Sequence, residues 1–311
     1  MSTLEPSIEL LGHRWQRYLL ATRPPFLLAA ACPALLGLAF TVWSGHAIDW
    51  PAAVAALLAI VCLHAGVNLL NDYFDALNGT DALNEERLYP FTGGSRFIQN
   101  GVLGLRETLL LGIGLWLVTA VLGIWLAGIS GPALYLLGAL GLFIGWAYSA
   151  PPLRLNSRGL GELSVALGFG LIPVGMHYTQ TTDFDLRLFA AALPAGLLTA
   201  NLLIINQFPD RRADEQAGKH HWVVRLGPRR ARWMYAAVGA LAYALLVLWV
   251  AIDILPATTL LGLLAVAPST VAALHLIRHW DRPALLAPAI KLTILALLGH
   301  TLLLALGLLV V

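Results

Sequence analysis

Apolar stretches of about 20 residues recur along the whole chain, and short polar segments separate them. Each stretch is long enough to cross the ~30 Å hydrocarbon core of a bilayer as a helix. The pattern therefore predicts an all-α polytopic membrane protein. The first segment contains Arg23-Pro24-Pro25, where a helix either begins or kinks. The nine predicted transmembrane helices lie near residues 19–43, 52–76, 105–127, 131–149, 160–180, 187–206, 231–252, 256–278 and 285–310.

Composition supports a membrane protein. The 311 residues are 59% hydrophobic and 12% charged, whereas about a quarter of the residues of a typical soluble protein are charged. Cys32 and Cys62 both fall in apolar stretches without CxxC spacing, so we interpret them as buried hydrophobic residues and not as a disulfide or metal pair. We expect residues 1–311 to form a single transmembrane domain.

The distribution of basic residues predicts the orientation of the chain. With nine crossings, all but one of the 19 Lys and Arg residues lie on one side, and the exception is Arg187. Because basic residues remain on the cytoplasmic side, we expect a multi-pass protein of the inner, cytoplasmic membrane. Its N-terminus and the loops 77–104, 150–159, 207–230 and 279–284 are predicted to be cytoplasmic.

Two acidic runs stand at the ends of apolar stretches. The first acidic run covers residues 71–75 and the second covers residues 206–214. In both runs an asparagine precedes an aspartate by four residues. Because an even number of predicted helices separates the runs, both emerge on the same side of the membrane. Carboxylates near hydrocarbon are costly and mark functional sites, so a bundle with two facing acidic helix ends is predicted.

The aspartates have the spacing of a metal site. Asp72 and Asp75 are three residues apart and Asp210 and Asp214 are four apart, so a helix would place each pair on one face. Like charges this close repel unless a cation neutralises them. Mg²⁺ takes oxygen ligands and bridges carboxylates to phosphates. We therefore predict a magnesium-held diphosphate, with Asp81 as a further metal ligand.

Neutral and basic side chains complete the predicted diphosphate site, because Arg and Lys bind phosphate oxygens through charge-assisted hydrogen bonds. The predicted diphosphate-binding residues are Arg23, Asn68, Asn71, Tyr148, Arg154 and Lys219. The alternative for the acids is that they are loop charges that pair with Arg87, Arg211 and Arg212. The alternative for basic residues is simple cytoplasmic retention, and we prefer it for Arg229, Arg230 and Arg232.

The remaining polar features carry less information. The glycine-rich segment 91–96 is interpreted as a mobile cap over the site. His64 and His177 lie in apolar helices and are expected to be packed or hydrogen-bonded. The His220-His221 pair is expected to be a solvated loop.

On these motifs the chain resembles the UbiA-type superfamily of intramembrane prenyltransferases along nearly its whole length. The first family motif matches Asn71, Asp72 and Asp75, but Gly79 occupies its last position and the next acid is Asp81. The second motif matches Asp210 and Asp214 and continues with Ala-Gly-Lys219 and Val-Val-Arg-Leu-Gly. The menaquinone branch, the 1,4-dihydroxy-2-naphthoate polyprenyltransferases, is the most similar.

The resemblance implies nine helices around a central cavity open to the cytoplasm, and Mg²⁺-dependent transfer of a polyprenyl group from its diphosphate to an aromatic acceptor. Asp72, Asp75, Asp210 and Asp214 are then the catalytic residues. With dihydroxynaphthoate as acceptor, carbon dioxide is lost. The expected partners are the two substrates and the bilayer, without nucleic acid, and no oligomeric state is predicted. The alternatives are another acceptor such as 4-hydroxybenzoate, a terpene cyclase of the same superfamily, or an ion-coupled transporter.

Overall fold

The nine predicted helices all coincide with helical segments of the structure. The computed structural model describes residues 4–311, of which 77% are helical and none form a strand. Three short 3₁₀ helices (Leu155–Ser157, Ala257–Ala265 and Pro283–Leu285) interrupt the α-helices. The α-helices are α1 (Arg14–Ala21), α2 (Pro24–Trp43), α3 (Trp50–Asn78), α4 (Thr80–Leu83), α5 (Leu105–Ser130), α6 (Ala133–Ser149), α7 (Gly161–Thr181), α8 (Leu186–Gln216), α9 (Trp222–Leu226), α10 (Pro228–Ala251), α11 (Val266–His279) and α12 (Ala287–Leu309).

Seven helical segments of the described chain are long and apolar enough to cross a membrane, namely α2, α3, α5, α8, α10, α12 and the continuous stretch 257–279. The other two predicted crossings correspond to α6, which has 17 residues, and α7, which has 21. α6 is apolar but short. Glu162 and His177 lower the hydropathy of α7. The all-helical class is confirmed, and seven of the nine predicted crossings meet the length and hydropathy expected of a membrane span.

The first predicted segment is two helices. α1 ends at Ala21, and Arg23 adopts a left-handed backbone with φ 58° and ψ 60°. Pro24 and Pro25 then begin α2, as expected for residues that lack a backbone donor at the first turn of a helix. The Arg-Pro-Pro sequence therefore starts the helix and does not kink it.

α8 is longer than predicted. The sequence pattern ended this helix at residue 206, and it placed the second acidic run in a loop. In the structure α8 continues through Pro209 to Gln216. Neighbouring helices can accommodate a proline within a buried helix, and Pro209 is buried here. Both acidic runs consequently lie on the last turns of long helices, α3 and α8.

Glycines let the helices around the site pack backbone to backbone. An added Cβ at Gly37 of α2 would lie 2.5 Å from the carbonyl oxygen of Pro173 in α7. One at Gly196 of α8 would lie 2.5 Å from the carbonyl oxygen of Ala166, also in α7. Small residues at such contacts are the usual means of close helix approach in membranes. α7 is thus held tightly between α2 and α8.

We expect Gly196→Ala to destabilise the fold by about 1–3 kcal/mol, because the new methyl group must push α8 away from α7. Gly114→Ala on α5 is the matched control, since no atom lies within 4 Å of its added Cβ. That control is expected to be neutral or to raise stability by up to about 1 kcal/mol. Thermal unfolding of both variants in one detergent measures the difference, and equal melting temperatures would contradict the tight α7–α8 contact.

Candidate active site

The two acidic runs meet in one cavity of about 320 Å³ inside the helix bundle. Lys219, in the turn after α8, joins them directly. Its Nζ lies 2.9 Å from Asp75 Oδ1 in the first run and 3.3 Å from Asp214 Oδ1 in the second. All three side chains are buried. One ammonium group that contacts both runs places them within reach of a single diphosphate.

The end of α3 positions the first run through amide contacts. Asn71 Nδ2 donates to Asp75 Oδ2 at 3.2 Å and to Ser149 Oγ of α6 at 3.0 Å. Asn78 Nδ2 donates to Asp75 Oδ1 at 3.3 Å. The carboxylate of Asp75 is therefore oriented by two amides on its own helix. Asp72 is buried one turn earlier.

Asp81 returns to the cavity because the chain reverses at Gly79. That residue has φ +82°, a conformation that glycine adopts without steric cost, and the short helix α4 begins directly after it. Asp81 then lines the cavity, where Gln99 Nε2 donates to its Oδ2 at 3.1 Å. Burial raises the pKa of Asp81 well above its usual value, and the carboxylates of Asp75 and Asp72 raise it further. A glycine at the last position of the first motif thus brings Asp81 to the other acids.

The segment 84–104 lies over the acids. Asn84 Nδ2 donates to Asp210 Oδ1 at 2.6 Å, and the amide of Gly93 donates to Asp210 Oδ2 at 3.3 Å. The amide of Ser95 donates to Asp72 Oδ1 at 3.2 Å. The glycine-rich segment therefore contacts both acidic runs. Sequence reasoning placed this segment over the site but missed Asn84.

His221 is a second residue that sequence reasoning missed. It was expected in a solvated loop, which is wrong: His221 is 2% exposed, and its Nε2 lies 3.1 Å from Asp214 Oδ2. The chain turns back after α8, where Gly218 has φ +78°, and this turn buries His221 against the helix that it follows. Its partner in sequence, His220, is exposed as expected. Only the turn geometry separates the two histidines.

Lys219 keeps its charge in this buried position. Burial alone would lower the pKa of Lys219, but the carboxylates of Asp75 and Asp214 outweigh burial and raise the pKa above its ordinary value. The site therefore holds a permanent cation between two acidic helix ends. A cation placed there can bind the oxygens of a phosphate ester.

Of the other predicted diphosphate-binding residues, Arg23, Asn68, Asn71 and Tyr148 also line the cavity. The guanidinium of Arg23 donates to the carbonyl of Phe91 at 3.1 Å and lies 4.5 Å from the centroid of the Phe26 ring. Asn68 Nδ2 donates to the carbonyl of Thr22 at 3.0 Å.

Arg154 is the exception. It is exposed and does not line the cavity in the described part of the chain. Its backbone has φ +44° and leads into the 3₁₀ helix Leu155–Ser157, so the turn after α6 carries this arginine away from the acids. Its predicted diphosphate role is not supported by its position.

Arg154→Ala is accordingly expected to change prenyl-diphosphate KM and turnover by less than about threefold, as for a solvent-exposed charge. Arg23→Ala, which removes a cation from the cavity wall, is expected to raise the KM for the diphosphate about 10-fold or more. Steady-state kinetics of both variants with a prenyl diphosphate make the comparison. An equal effect of the two substitutions would contradict the placement of Arg154 outside the site.

The aspartates are not neutralised by the arginines proposed as their alternative partners. In the described chain these arginines pair with glutamates: Arg87 with Glu5, Arg211 with Glu215 and Arg212 with Glu86. The interpretation of the acidic runs as ordinary loop ion pairs with these arginines is therefore wrong. Lys219, inside the cavity, is the cation that pairs with one aspartate of each run, Asp75 and Asp214.

The side chains fit a hard divalent cation, although no three His, Cys, Asp or Glu residues within 4–311 already converge as a metal cluster. Asp72 Oδ2, Asn84 Oδ1 and Asn206 Oδ1 are buried without a hydrogen-bond partner. Carboxylate and amide oxygens are the ligands that Mg²⁺ prefers. Unpaired buried oxygens at the end of the cavity that holds Lys219 fit a metal that arrives together with a diphosphate.

Comparison with known proteins shows the family to which the chain belongs. Residues 30–295 match the UbiA prenyltransferase family. The 1,4-dihydroxy-2-naphthoate octaprenyltransferase of Mycobacterium leprae is 30% identical over 282 residues, which cover 90% of this chain and 92% of that protein. The 2-carboxy-1,4-naphthoquinone phytyltransferase of Synechocystis sp. is 30% identical over 269 residues, which cover 84% of this chain and 81% of that protein.

A solved structure of a UbiA homologue from Archaeoglobus fulgidus, bound to GPP and Mg²⁺, has the same fold. It superposes with a TM-score of 0.64 at 20% identity, covering 95% of this chain and 100% of that one. The chain therefore belongs to the UbiA prenyltransferase family and is a prenyltransferase.

Proposed function

We propose that this protein transfers a polyprenyl group from polyprenyl diphosphate to 1,4-dihydroxy-2-naphthoate, with loss of carbon dioxide and in a Mg²⁺-dependent manner, in menaquinone biosynthesis. The observation that carries the proposal is the contact of Lys219 with both acidic runs inside one cavity. The naphthoate acceptor is supported by the names of the relatives from Mycobacterium leprae and Synechocystis.

The part of the cavity lined by Asp75, Asp81, Asp210 and Asp214 is called here the acid end. It binds the diphosphate leaving group. Lys219 and Arg23 contact the diphosphate oxygens. Mg²⁺ held by Asp72, Asp75, Asp81, Asp210 and Asp214 would neutralise the charge that develops on the diphosphate as the allylic C–O bond breaks.

The deeper part of the cavity protects the reacting carbon from water. Its lining side chains are mostly apolar, and an allylic cation formed among them is shielded from capture by solvent. The electron-rich ring carbon that bears the carboxylate attacks that cation and forms the new C–C bond. Loss of carbon dioxide then restores the aromatic ring. The lining includes Ile60, Leu63, Val67, Ile144, Phe169 and Ile172.

For the membrane arrangement, we propose that α6 and α7 also cross the bilayer, which makes nine crossings by one transmembrane domain spanning residues 1–311. The basic residues support an orientation in which the cavity opens to the cytoplasm of an inner membrane, because 18 of the 19 Lys and Arg then lie on the cytoplasmic side. Met1 to Thr3 lie outside the described residues.

The function is tested by incubating the purified protein in detergent with a radiolabelled prenyl diphosphate and Mg²⁺, with and without 1,4-dihydroxy-2-naphthoate. Prenylated naphthoquinol and released carbon dioxide, both dependent on acceptor and both abolished by EDTA, are expected. Lipid product without any acceptor would instead indicate cyclisation. Preferential transfer to 4-hydroxybenzoate would show that 4-hydroxybenzoate, and not the naphthoate, is the acceptor. No turnover with any acceptor would contradict the proposal.

A further inference from the structure

An imidazole lies in the cavity wall far from the acids. His64 is at the middle of α3 (Trp50–Asn78) and lines the cavity. Eight residues separate it from Asp72, which places it about 12 Å along the helix axis from that carboxylate. An ionisable side chain at this depth in a membrane helix is costly and marks a functional position.

The wall around His64 is mainly apolar; its polar members include Asn68, one turn along α3 and bonded to the carbonyl of Thr22, and Arg23, whose charge acts on the ring. Its ring packs edge-on against Phe169 of α7, with 5.1 Å between centroids and an interplanar angle of 87°. The nearby hydroxyls of the cavity lining are already bonded within their own helices: Ser164 Oγ donates to the carbonyl of Leu160, and Thr199 Oγ1 donates to that of Ala195. The imidazole is thus a polar group with free hydrogen-bonding capacity in a mainly apolar part of the cavity lining.

His64 makes no hydrogen bond within residues 4–311; its Nδ1 is enclosed by protein atoms, whereas the ring is partly exposed, lines the cavity and leaves Nε2 open to it. The three buried histidines of the described chain differ in this respect. His177 Nδ1 lies 2.9 Å from Thr41 Oγ1, His300 Nδ1 lies 3.2 Å from the carbonyl of Gly262, and His221 contacts Asp214. Nε2 of His64 is accessible from the cavity and has no protein partner among the described residues, so it is the nitrogen that a ligand can hydrogen-bond.

The chemistry of the two substrates decides which of them meets His64. The diphosphate belongs to the acid end of the cavity, and the prenyl tail is a hydrocarbon that offers an imidazole no hydrogen-bond partner. The aromatic acceptor carries hydroxyl and carboxylate oxygens. A flat ring system fits between apolar walls, where one well-placed polar group fixes its orientation.

Resting on the proposed function, we infer that His64 binds the aromatic acceptor through a hydrogen bond to one of its oxygen substituents. This contact orients the ring so that its reactive carbon faces the prenyl group held at the acid end. His64 is thereby a residue that determines acceptor specificity, since a site built to hydrogen-bond a substrate group discriminates against analogues that lack it.

The test compares apolar and polar replacements of His64. His64→Leu and His64→Met are each expected to lower kcat/KM for the acceptor about 10- to 100-fold, while the KM for the prenyl diphosphate changes less than about threefold. His64→Gln retains a side-chain amide and is expected to stay within about fivefold of wild type. If the Leu and Met variants raise the KM for the prenyl diphosphate by as much as they lower the kcat/KM for the acceptor, the inference is overturned.

Acceptor analogues identify the bound group. 1,4-Dihydroxynaphthalene lacks the carboxylate, and 1-hydroxy-2-naphthoate and 4-hydroxy-2-naphthoate each lack one hydroxyl. The group that His64 binds is the one whose removal lowers kcat/KM in wild type but not in His64→Leu, as in a double-mutant cycle. If every analogue is affected equally in both proteins, His64 does not contact the acceptor.

His300→Leu is the matched control, because it removes a buried imidazole from α12 that does not line the cavity. It is expected to lower the melting temperature and to leave the acceptor kcat/KM unchanged. If wild type transfers the prenyl group and His64→Leu has the same acceptor kcat/KM, the inference about His64 alone is overturned. If wild type transfers it to no aromatic acceptor, the proposed function fails and this inference fails with it.

Discussion

Asp72→Asn is expected to lower prenyl transfer by about 10³-fold or more while the melting temperature stays at or above that of wild type. Asparagine has the same shape as aspartate, and its Oδ1 can still accept from the amide of Ser95. The other oxygen, Oδ2, has no protein partner to lose. The substitution removes a buried carboxylate whose desolvation opposes folding, and we expect this gain to offset both the unpaired Nδ2–H donors and the lost attraction to Arg23.

Activity responds in the opposite direction. If Asp72 is a ligand for the cation that neutralises the leaving diphosphate, its loss weakens the stabilisation of the transition state, and a 10³-fold effect corresponds to about 4 kcal/mol. Initial rates over a Mg²⁺ titration and thermal unfolding in the same detergent measure both quantities. Asp183→Asn, in an exposed turn at the other end of the bundle, is the control. Near-normal turnover of Asp72→Asn at saturating Mg²⁺ would contradict the role of Asp72.

Lys219→Met is expected to be both inactive and unstable. The ammonium group is the shared partner of Asp75 and Asp214, and breaking a buried ion pair by removal of one partner costs about 3–5 kcal/mol. The same change deletes a cation from the diphosphate end of the cavity, so transfer should fall by about 10³-fold. Lys291→Met on α12 removes an exposed lysine and should alter neither property.

A double variant separates the two effects of Lys219. In Lys219→Met/Asp75→Asn, one of the stranded carboxylates is neutralised, so part of the lost stability should return, whereas activity should not. Chemical or thermal unfolding of the two single variants and the double variant gives the coupling energy. Strictly additive stability losses would show that Lys219 and Asp75 do not interact in the folded protein.

The expected changes in stability differ between Asp72→Asn and Lys219→Met because one substitution removes a negative charge and the other removes a positive charge. An acid at this site carries a desolvation cost that only a cation removes, so its neutralisation is tolerated by the fold. The single lysine removes part of that cost for both helices at once. Stability and activity should therefore separate in the aspartate variant and fall together in the lysine variant.

Much of the helical layout followed from the sequence. Hydrophobic length located all nine helical segments, since a helix that faces lipid must be apolar over about 20 residues whatever it packs against. The side on which the basic residues accumulate depends on the count of helices and on no tertiary contact. The matching acidic runs also predicted their own convergence, because an even number of predicted helices separates them and places both at the same side of the bundle.

Other features depended on contacts between segments distant in sequence. The extension of α8 through Pro209 requires a buried environment that tolerates a proline, and a sequence pattern does not reveal it. Arg154 and Lys219 looked equivalent as basic residues beside the acids, yet one turn exposes Arg154 and another buries Lys219 between Asp75 and Asp214. Asn84 reaches Asp210 only because the segment 84–104 folds back over the site.

By itself the sequence determined that this is a helical membrane protein and predicted which aspartates hold Mg²⁺ for a diphosphate, because bilayer thickness and charge desolvation act on local composition. Only the tertiary structure decided which polar residues face the cavity. His64, His221 and Asn84 differ from other polar residues of the chain in their neighbours and not in their sequence pattern, and the hydrogen bonds that a side chain makes or lacks depend on those neighbours.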